Sequence, residues 1–304
     1  MVMPACFFLH LSPADAHSGN VQSPSRKDIR RAVRAALAED IGSGDVTTLA
    51  TVPASAVAVA AMRAREPLTV AGLALAEAAF RLRSRAVQIK RRAREGQRVA
   101  AGAPLLEISG PARAILSAER VALNFVQRLC GVATLTAQFV DAVKGTRAQI
   151  LDTRKTTPGW RHFEKYAVAC GGGRNHSIGL HDLVLIKDNH LATLRDLKPN
   201  PIAAGVRLAR KRYPQLQVEV EADTLKQVEQ AAAARADIIL LDNLSPTVLR
   251  RAVKLVAGRA QTEASGGVNL KTVRAIARSG VDFISVGALT HSARAVDIGL
   301  DFDP

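Results

Sequence analysis

Apolar residues recur at helical spacing from Arg26 to Glu39, where Ile29, Val33, Ala36 and Leu37 sit among charged neighbours and Ser25 is placed to cap the first turn. The turn-rich run Ile41-Gly42-Ser43-Gly44-Asp45 ends that helix. A strand pattern follows over 57–65 and again over 86–92, with a helical stretch between them at 72–82. A third strand, 105–109, comes after the paired turns of 95–104. Together these elements predict a small mixed α/β unit. Over 112–143 the helical period is sustained in one long element, with Val121, Phe125, Leu129, Val132 and Phe139 facing a core.

Beyond Lys144-Gly145 the pattern alternates strand and helix. Apolar runs at 149–151, 183–186, 217–220, 238–241, 261–263 and 283–285 read as strands, and 203–212, 225–234, 246–256 and 270–279 as helices. Such alternation specifies a parallel sheet, and six units in succession favour a barrel, complete or not, over separate layers. The expected organisation is a disordered leader over 1–24, an N-terminal α/β domain over 25–143, which C-terminal residues can complete, and a barrel over 144–304.

Each predicted strand of the second half runs into a polar group: Asp152-Thr153-Arg154-Lys155, Lys187-Asp188-Asn189, Glu221, Asp242-Asn243, Ser265-Gly266-Gly267, and Gly287 with His291 a turn later. The carboxyl ends of parallel strands share one rim, so these residues are expected to converge on one mouth. A solvated face also carries charge, but here the cations directly follow strand-like runs. Arg154, Lys155 and Lys187 supply positive charge, and the flat fork of Arg154 suits a carboxylate or phosphate. Glu221 and Asp242 either hold Mg2+ shared with phosphate oxygens or pair with a nearby Arg or Lys. Ser265-Gly266-Gly267 and Gly287 precede helical patterns, where free backbone N–H groups bind phosphate. His176 and His291 are candidate hydrogen-bond donors.

Composition narrows the ligand. The 304 residues are 48% hydrophobic and 4% aromatic, enough for a large aliphatic core. Lys and Arg number 42 against 27 Asp and Glu, a net charge of +15 that favours an anionic partner, either nucleic acid or a phosphorylated metabolite. One Trp, two Tyr and eight Phe are too few for a base-stacking platform, and no nucleic-acid motif appears. The absence of GxxxxGK[ST] and of GxGxxG after a strand argues against an NTPase or a nicotinamide-dinucleotide dehydrogenase. Cys6, Cys130 and Cys170 have neither disulfide nor zinc spacing, which points to reduced thiols in the cytoplasm. The opening MVMPACFFLHL lacks a basic flank, and no apolar run is long enough to span a bilayer.

Eleven motifs, in order, carry a resemblance: EDIGSGDVTT (39–48), Glu119-Arg120, NFVQRLCGVAT (124–134), DTRKTTPG (152–159), EKYAV (164–168), GGGRNH (171–176), LIKDNH (185–190), EVEAD (219–223), LLDN (240–243), EASGGV (263–268) and VGALTHS (286–292). They resemble nicotinate-nucleotide pyrophosphorylase (carboxylating), the quinolinate phosphoribosyltransferase family. The resemblance implies an N-terminal α/β sandwich domain and a C-terminal incomplete, open α/β barrel, in a homodimer or homohexamer. It also implies phosphoribosyl transfer from 5-phosphoribosyl-1-pyrophosphate to quinolinate with decarboxylation, giving nicotinate mononucleotide, pyrophosphate and CO2 in de novo NAD biosynthesis.

Carried over by position, Thr153, Arg154, Lys155, His176 and Lys187 would meet the substrates, and Glu221 and Asp242 would hold Mg2+ and ribose hydroxyls. Ser265, Gly266, Gly267, Gly287 and His291 would receive phosphate, and Arg120 would reach into a neighbouring subunit's site. One position departs: the family reads NHR where this chain has Asn175-His176-Ser177, which removes a cation for a quinolinate carboxylate and leaves Arg174 or Arg161 to replace it. That departure keeps open a diverged relative acting on another aromatic acid or in metal-oxyanion uptake. The net charge alone keeps open a nucleic-acid binder.

Overall fold

The computed structural model describes residues 23–302, so all but the last two positions of the expected leader lie outside the described residues. Ser25 caps α1 (Arg26–Ile41), its hydroxyl accepting the Asp28 N–H at 3.1 Å, and Ile29, Val33 and Leu37 are the buried stripe. The glycine-rich run after α1 conceals a short helix, α2 (Val46–Thr51), capped by Asp45. A ribbon of β2 (Leu68–Thr69) and β4 (Arg98–Val99) flanks the α3 helix (Leu73–Arg83).

The main N-terminal sheet is antiparallel and four-stranded, in the order β12–β1–β5–β3. It is built from β1 (Val57–Ala64), β3 (Gln88–Arg91), β5 (Pro104–Pro111) and β12 (Ile298–Phe302). The last strand of the chain thus returns to pair with β1, Ala60 opposite Phe302. Between the two halves runs α4 (Ala112–Ala142), 31 residues long, with Val121, Phe125, Leu129 and Val132 buried. It packs on α1 and α3 on one side and on α5 (Arg161–Cys170) on the other, so one continuous core spans both halves.

The second half holds six parallel strands, β6 (Gln149–Leu151), β7 (Val184–Ile186), β8 (Val218–Ala222), β9 (Ile238–Asp242), β10 (Gln261–Ser265) and β11 (Phe283–Ser285), in the order β6–β11–β10–β9–β8–β7. The helices between them are α5, α6 (Asp188–Thr193), α7 (Pro201–Arg212), α8 (Leu225–Ala233), α9 (Pro246–Val256), α10 (Val273–Ala277) and α11 (Ala288–His291). The edge strands β6 and β7 do not pair with each other. In a flat sheet five spacings of about 4.8 Å would hold them roughly 24 Å apart. Yet Arg154, just past β6, and Lys187, just past β7, line one cavity, so the sheet curls into an open barrel.

The expected helix over 270–279 is shorter: α10 starts only at Val273, because Asn269 and Thr272 hold 269–272 in a turn through bonds to one another's backbone.

Candidate active site

The rim begins with a buried ion pair. Asp152 and Lys165 are both fully buried, with Lys165 Nζ 2.5 Å from Asp152 Oδ1. Asp152 also accepts the Asn175 amide at 2.7 Å and the His176 N–H at 2.8 Å, while Lys165 donates to the His176 carbonyl at 3.1 Å. Burial pushes the carboxyl up and the amine down in pKa, and each partner's charge opposes this. The pair locks the end of β6, α5 and the 174–176 segment together.

The loop carrying Arg154 and Lys155 is gripped at both ends. Thr153 Oγ1 accepts the Lys155 N–H at 3.0 Å, and Thr290 Oγ1 donates to the Lys155 carbonyl at 2.7 Å. Glu164, fully buried, accepts the Thr157 N–H at 3.0 Å, the Thr157 hydroxyl at 2.9 Å and Arg128 Nη2 at 2.7 Å. Arg128 also donates to the carbonyls of Thr290 and Ala293, so α4 ties the loop to α11. Gly287 packs against the Lys155 side chain: a Cβ there would lie 3.1 Å from both Lys155 Cδ and His291 Nε2. Lys155, Gly287 and His291 therefore meet.

Arg154, Ser177 and Lys187 line a cavity of about 630 Å3 together with Arg212, His190 and the apolar Leu183, Leu185 and Leu216. Beside Ser177 lies Arg161, half-buried, its guanidinium donating to Thr156 Oγ1 at 3.1 Å and to the Ile178 carbonyl at 3.0 Å. Arg174 is exposed. Glu221, on β8, and Asp242, on β9, share this electrostatic neighbourhood: burial and then the Asp242 charge push the Glu221 carboxyl up, and Lys187 pulls it down. Two carboxylates that repel each other beside a cation are a donor set that fits a divalent metal ion.

Some expected placements change. Glu221 is the penultimate residue of β8, and Asp242 and Ser265 end their strands rather than follow them. Ser265-Gly266-Gly267 does not open a helix, since α10 begins at Val273; its amides belong to a turn in which a Cβ on Gly266 would strike Asn243 Oδ1 at 2.1 Å. Gly287 does directly precede α11. Arg120 is exposed on α4 and forms no ion pair among the described residues.

His176 is buried, with both ring nitrogens engaged. Its Nε2 lies 3.0 Å from Glu219 Oε2 and 3.7 Å from Glu263 Oε2, and its Nδ1 accepts the Ser177 N–H at 2.7 Å. Burial disfavours the imidazolium, but the Glu263 charge and the Glu219 hydrogen bond outweigh it and lift the ring to about 9. The Ser177 N–H works the other way, since a protonated Nδ1 would face a second donor. Glu263 is itself pushed up by burial and by Glu219.

The ligand atoms of these three residues lie within 4.8 Å of one another, a spacing a metal ion can use. Because Nδ1 is the acceptor, however, the ring proton belongs on Nε2, and the cluster is built around that proton. Glu219 and Glu263 were absent from the expected site: they sit inside strands, where a periodicity reading looks for apolar residues, and only the charge within EVEAD and EASGGV hinted at them.

Fold and site together define an open α/β-barrel protein with a cationic mouth for anionic ligands. The N-terminal and C-terminal domain models of quinolinate phosphoribosyl transferase match residues 45–130 and 132–301. The Mycobacterium leprae nicotinate-nucleotide pyrophosphorylase (carboxylating) is 44% identical over 90% of this chain and 96% of its own length. The Arabidopsis thaliana chloroplastic protein of the same name is 41% identical over 94% of this chain and 86% of its own. The solved structure of the Francisella tularensis nicotinate-nucleotide pyrophosphorylase superposes with a TM-score of 0.88 at 39% identity, covering 94% of this chain and 99% of that one. The chain belongs to the quinolinate phosphoribosyl transferase family. No helix among the described residues is long and apolar enough to cross a membrane.

Proposed function

We propose that this chain joins quinolinate to 5-phosphoribosyl-1-pyrophosphate, releasing pyrophosphate and CO2 and forming nicotinate mononucleotide for NAD synthesis. The observation that carries this reading is the meeting of Arg154 and Lys187, from opposite edges of the sheet, in one cavity beside Glu221 and Asp242. Two polyanions repel each other in water, and a preorganised ring of cations offsets both that repulsion and their desolvation.

Arg154 and Lys187, with Arg161 behind Ser177, would seat the diacid. Lys155 and His291, against the Gly287 backbone, would take phosphate, as would the turn amides of Gly266 and Gly267. The pyridine nitrogen bonds to the anomeric carbon as the C–O bond to pyrophosphate breaks. The cationic ring then accepts the electron pair left by departing CO2, and a proton fills that position. Lys155 and Lys187 act here as fixed charges. Glu221 and Asp242 would hold Mg2+, which supplies positive charge for the pyrophosphate oxygens. The exposed Arg120 would complete the site of a second copy in a dimer or larger assembly, and the buried, unpaired thiol of Cys130 suits a reducing cytoplasm.

Incubation with both substrates and Mg2+ tests this: nicotinate mononucleotide and CO2 should appear in equal amounts. No product at any quinolinate concentration would sink the proposal, and product from a different pyridine acid would reassign the substrate.

A further inference from the structure

The strands have a second rim at their amino ends, five residues or roughly 16 Å of strand away from the mouth. A cavity of about 910 Å3 opens there, larger than the one lined by Arg154 and Lys187. Arg147, Arg210, Arg235 and Arg259 line it, against only Asp237 and Asp282. Both carboxylates are already committed to holding strand starts. Asp237 accepts the Val218 N–H at 2.7 Å and Arg210 Nη2 at 3.0 Å. Asp282 accepts the Thr262 N–H at 2.9 Å and its hydroxyl at 2.8 Å, and pairs with Arg147. Arg259 turns to the carbonyls of Val256 and Leu255 at the end of α9. Arg235, exposed, pairs with no carboxylate among the described residues.

The backbone at Arg235 is an independent observation. The turns ahead of β6, β9, β10 and β11 pass through a left-handed residue, and ahead of β6, β10 and β11 a glycine takes that conformation: Gly145 at φ +77°, Gly258 at +75°, next to Ala257 at +50°, and Gly280 at +95°. Ahead of β9 the position is Arg235, at φ +59°. A side chain is disfavoured there, and the sister turns place only glycine or, at Ala257, a single methyl in that conformation, so a long cationic side chain is not explained by the turn itself.

We propose that this rim is a second binding site, for an oligophosphate anion such as inorganic pyrophosphate or the triphosphate of a nucleotide, gripped by Arg235 together with Arg147, Arg210 and Arg259. Guanidinium forks match phosphate oxygens two at a time, and several forks around one cavity call for an anion with several phosphates. The volume falls in the range of small-ligand sites. The inference rests on this rim alone and is independent of the reading of the mouth.

Calorimetric titration without divalent metal tests it, using the full chain carrying Lys155→Ala and Lys187→Ala to weaken phosphate binding at the mouth. The probes are inorganic pyrophosphate and adenosine triphosphate. The expected result is saturable binding of at least one probe, weakened about tenfold or more by adding Arg235→Gly and Arg259→Gln. Binding of pyrophosphate alone identifies an inorganic ligand, and binding of both a nucleotide. Arg235→Gly suits the turn, so its melting temperature should hold or rise, separating lost affinity from lost fold. If the lysine background fails to fold, the same arginine changes in the parent chain should remove one site from the stoichiometry. No saturable binding at about 1 mM probe, or equal affinity with and without the arginine changes, overturns the proposal.

Discussion

His176 Nε2 lies 3.0 Å from Glu219 Oε2 with both side chains buried, while Lys155, Lys187 and His291 stand exposed around the mouth. Glu219 thus shares with Glu263 the control of the charge on the buried imidazole of the site. Against the opposing effect of burial, the Glu263 charge and then the Glu219 hydrogen bond raise the folded-state pKa of the ring to about 9 from 6.5. The sign follows from linkage: a raised pKa stabilises the fold fully below 6.5, and this contribution is lost as pH rises through about 9. Melting temperature should therefore fall between those values, and Glu219→Gln should flatten the fall. A flat profile in the parent chain would show that the Ser177 N–H keeps the ring neutral throughout.

Lys165→Met should be among the most damaging single changes outside the mouth. It leaves the Asp152 charge buried with only the Asn175 amide and His176 N–H as donors, a loss of about 3–5 kcal/mol in urea unfolding. Adding Asp152→Asn should recover part of it. A loss under about 1 kcal/mol would mean that Asp152 is already neutral in the parent.

Much of this architecture was legible because its signals are local. Alternating short apolar runs with helices gave the six strands, and the residue at the end of each run was enough to assemble Arg154, Lys187, Asp242 and Ser265 on one rim. What escaped depends on partners distant in sequence. The helix α5 was hidden because its Glu164 and Lys165 look like surface charges, yet both are fully buried, paired with Arg128 and Asp152. Glu219 and Glu263 were missed for the same reason: a buried carboxylate inside a strand makes sense only once His176 is seen between them. That C-terminal residues complete the N-terminal sheet was expected and is seen, but nothing within 298–302 tells which strand they join, 234 or more residues earlier, Ala60 opposite Phe302.

Lys155→Ala should leave the fold intact, because the side chain is exposed, and should reduce kcat about 100- to 1000-fold if, as proposed, it supplies fixed charge at the reacting centre. Steady-state kinetics with an unchanged melting temperature is the check. Near-normal turnover would place the lysine outside the reaction.

Glu66, just past β1, ties that strand to the segment leading into its neighbour β12, accepting Arg294 Nη1 at 2.8 Å and the Asp297 N–H at 2.9 Å. The Arg294 bond first, then the Asp297 N–H, pulls its carboxyl down to about 2 from 4.5. A depressed pKa stabilises above 4.5, and this is lost as pH falls toward 2. Glu66→Gln should therefore make the melting temperature less sensitive to pH within that window. An unaltered acid profile would show that the pair is too well solvated to matter.

Ser177→Arg tests how the diacid is held. Ser177 lines the same cavity as Arg154 and Lys187; its backbone N–H donates to His176 Nδ1 at 2.7 Å, and its hydroxyl lies 3.0 Å from the same nitrogen. An arginine keeps the backbone bond and gives up only the hydroxyl contact. Arg161, the nearest compensating cation, already donates to Thr156, Ile178 and Arg154 oxygens, which leaves it at most two of its five N–H groups for a ligand. A second free fork should tighten quinolinate binding about tenfold, through charge-assisted bonds to a carboxylate. The dissociation constant, measured without phosphoribosyl pyrophosphate, is the readout. Unchanged or weaker affinity would mean that Arg154, Arg161 and Lys187 already satisfy both carboxylates, and that the serine costs the enzyme nothing.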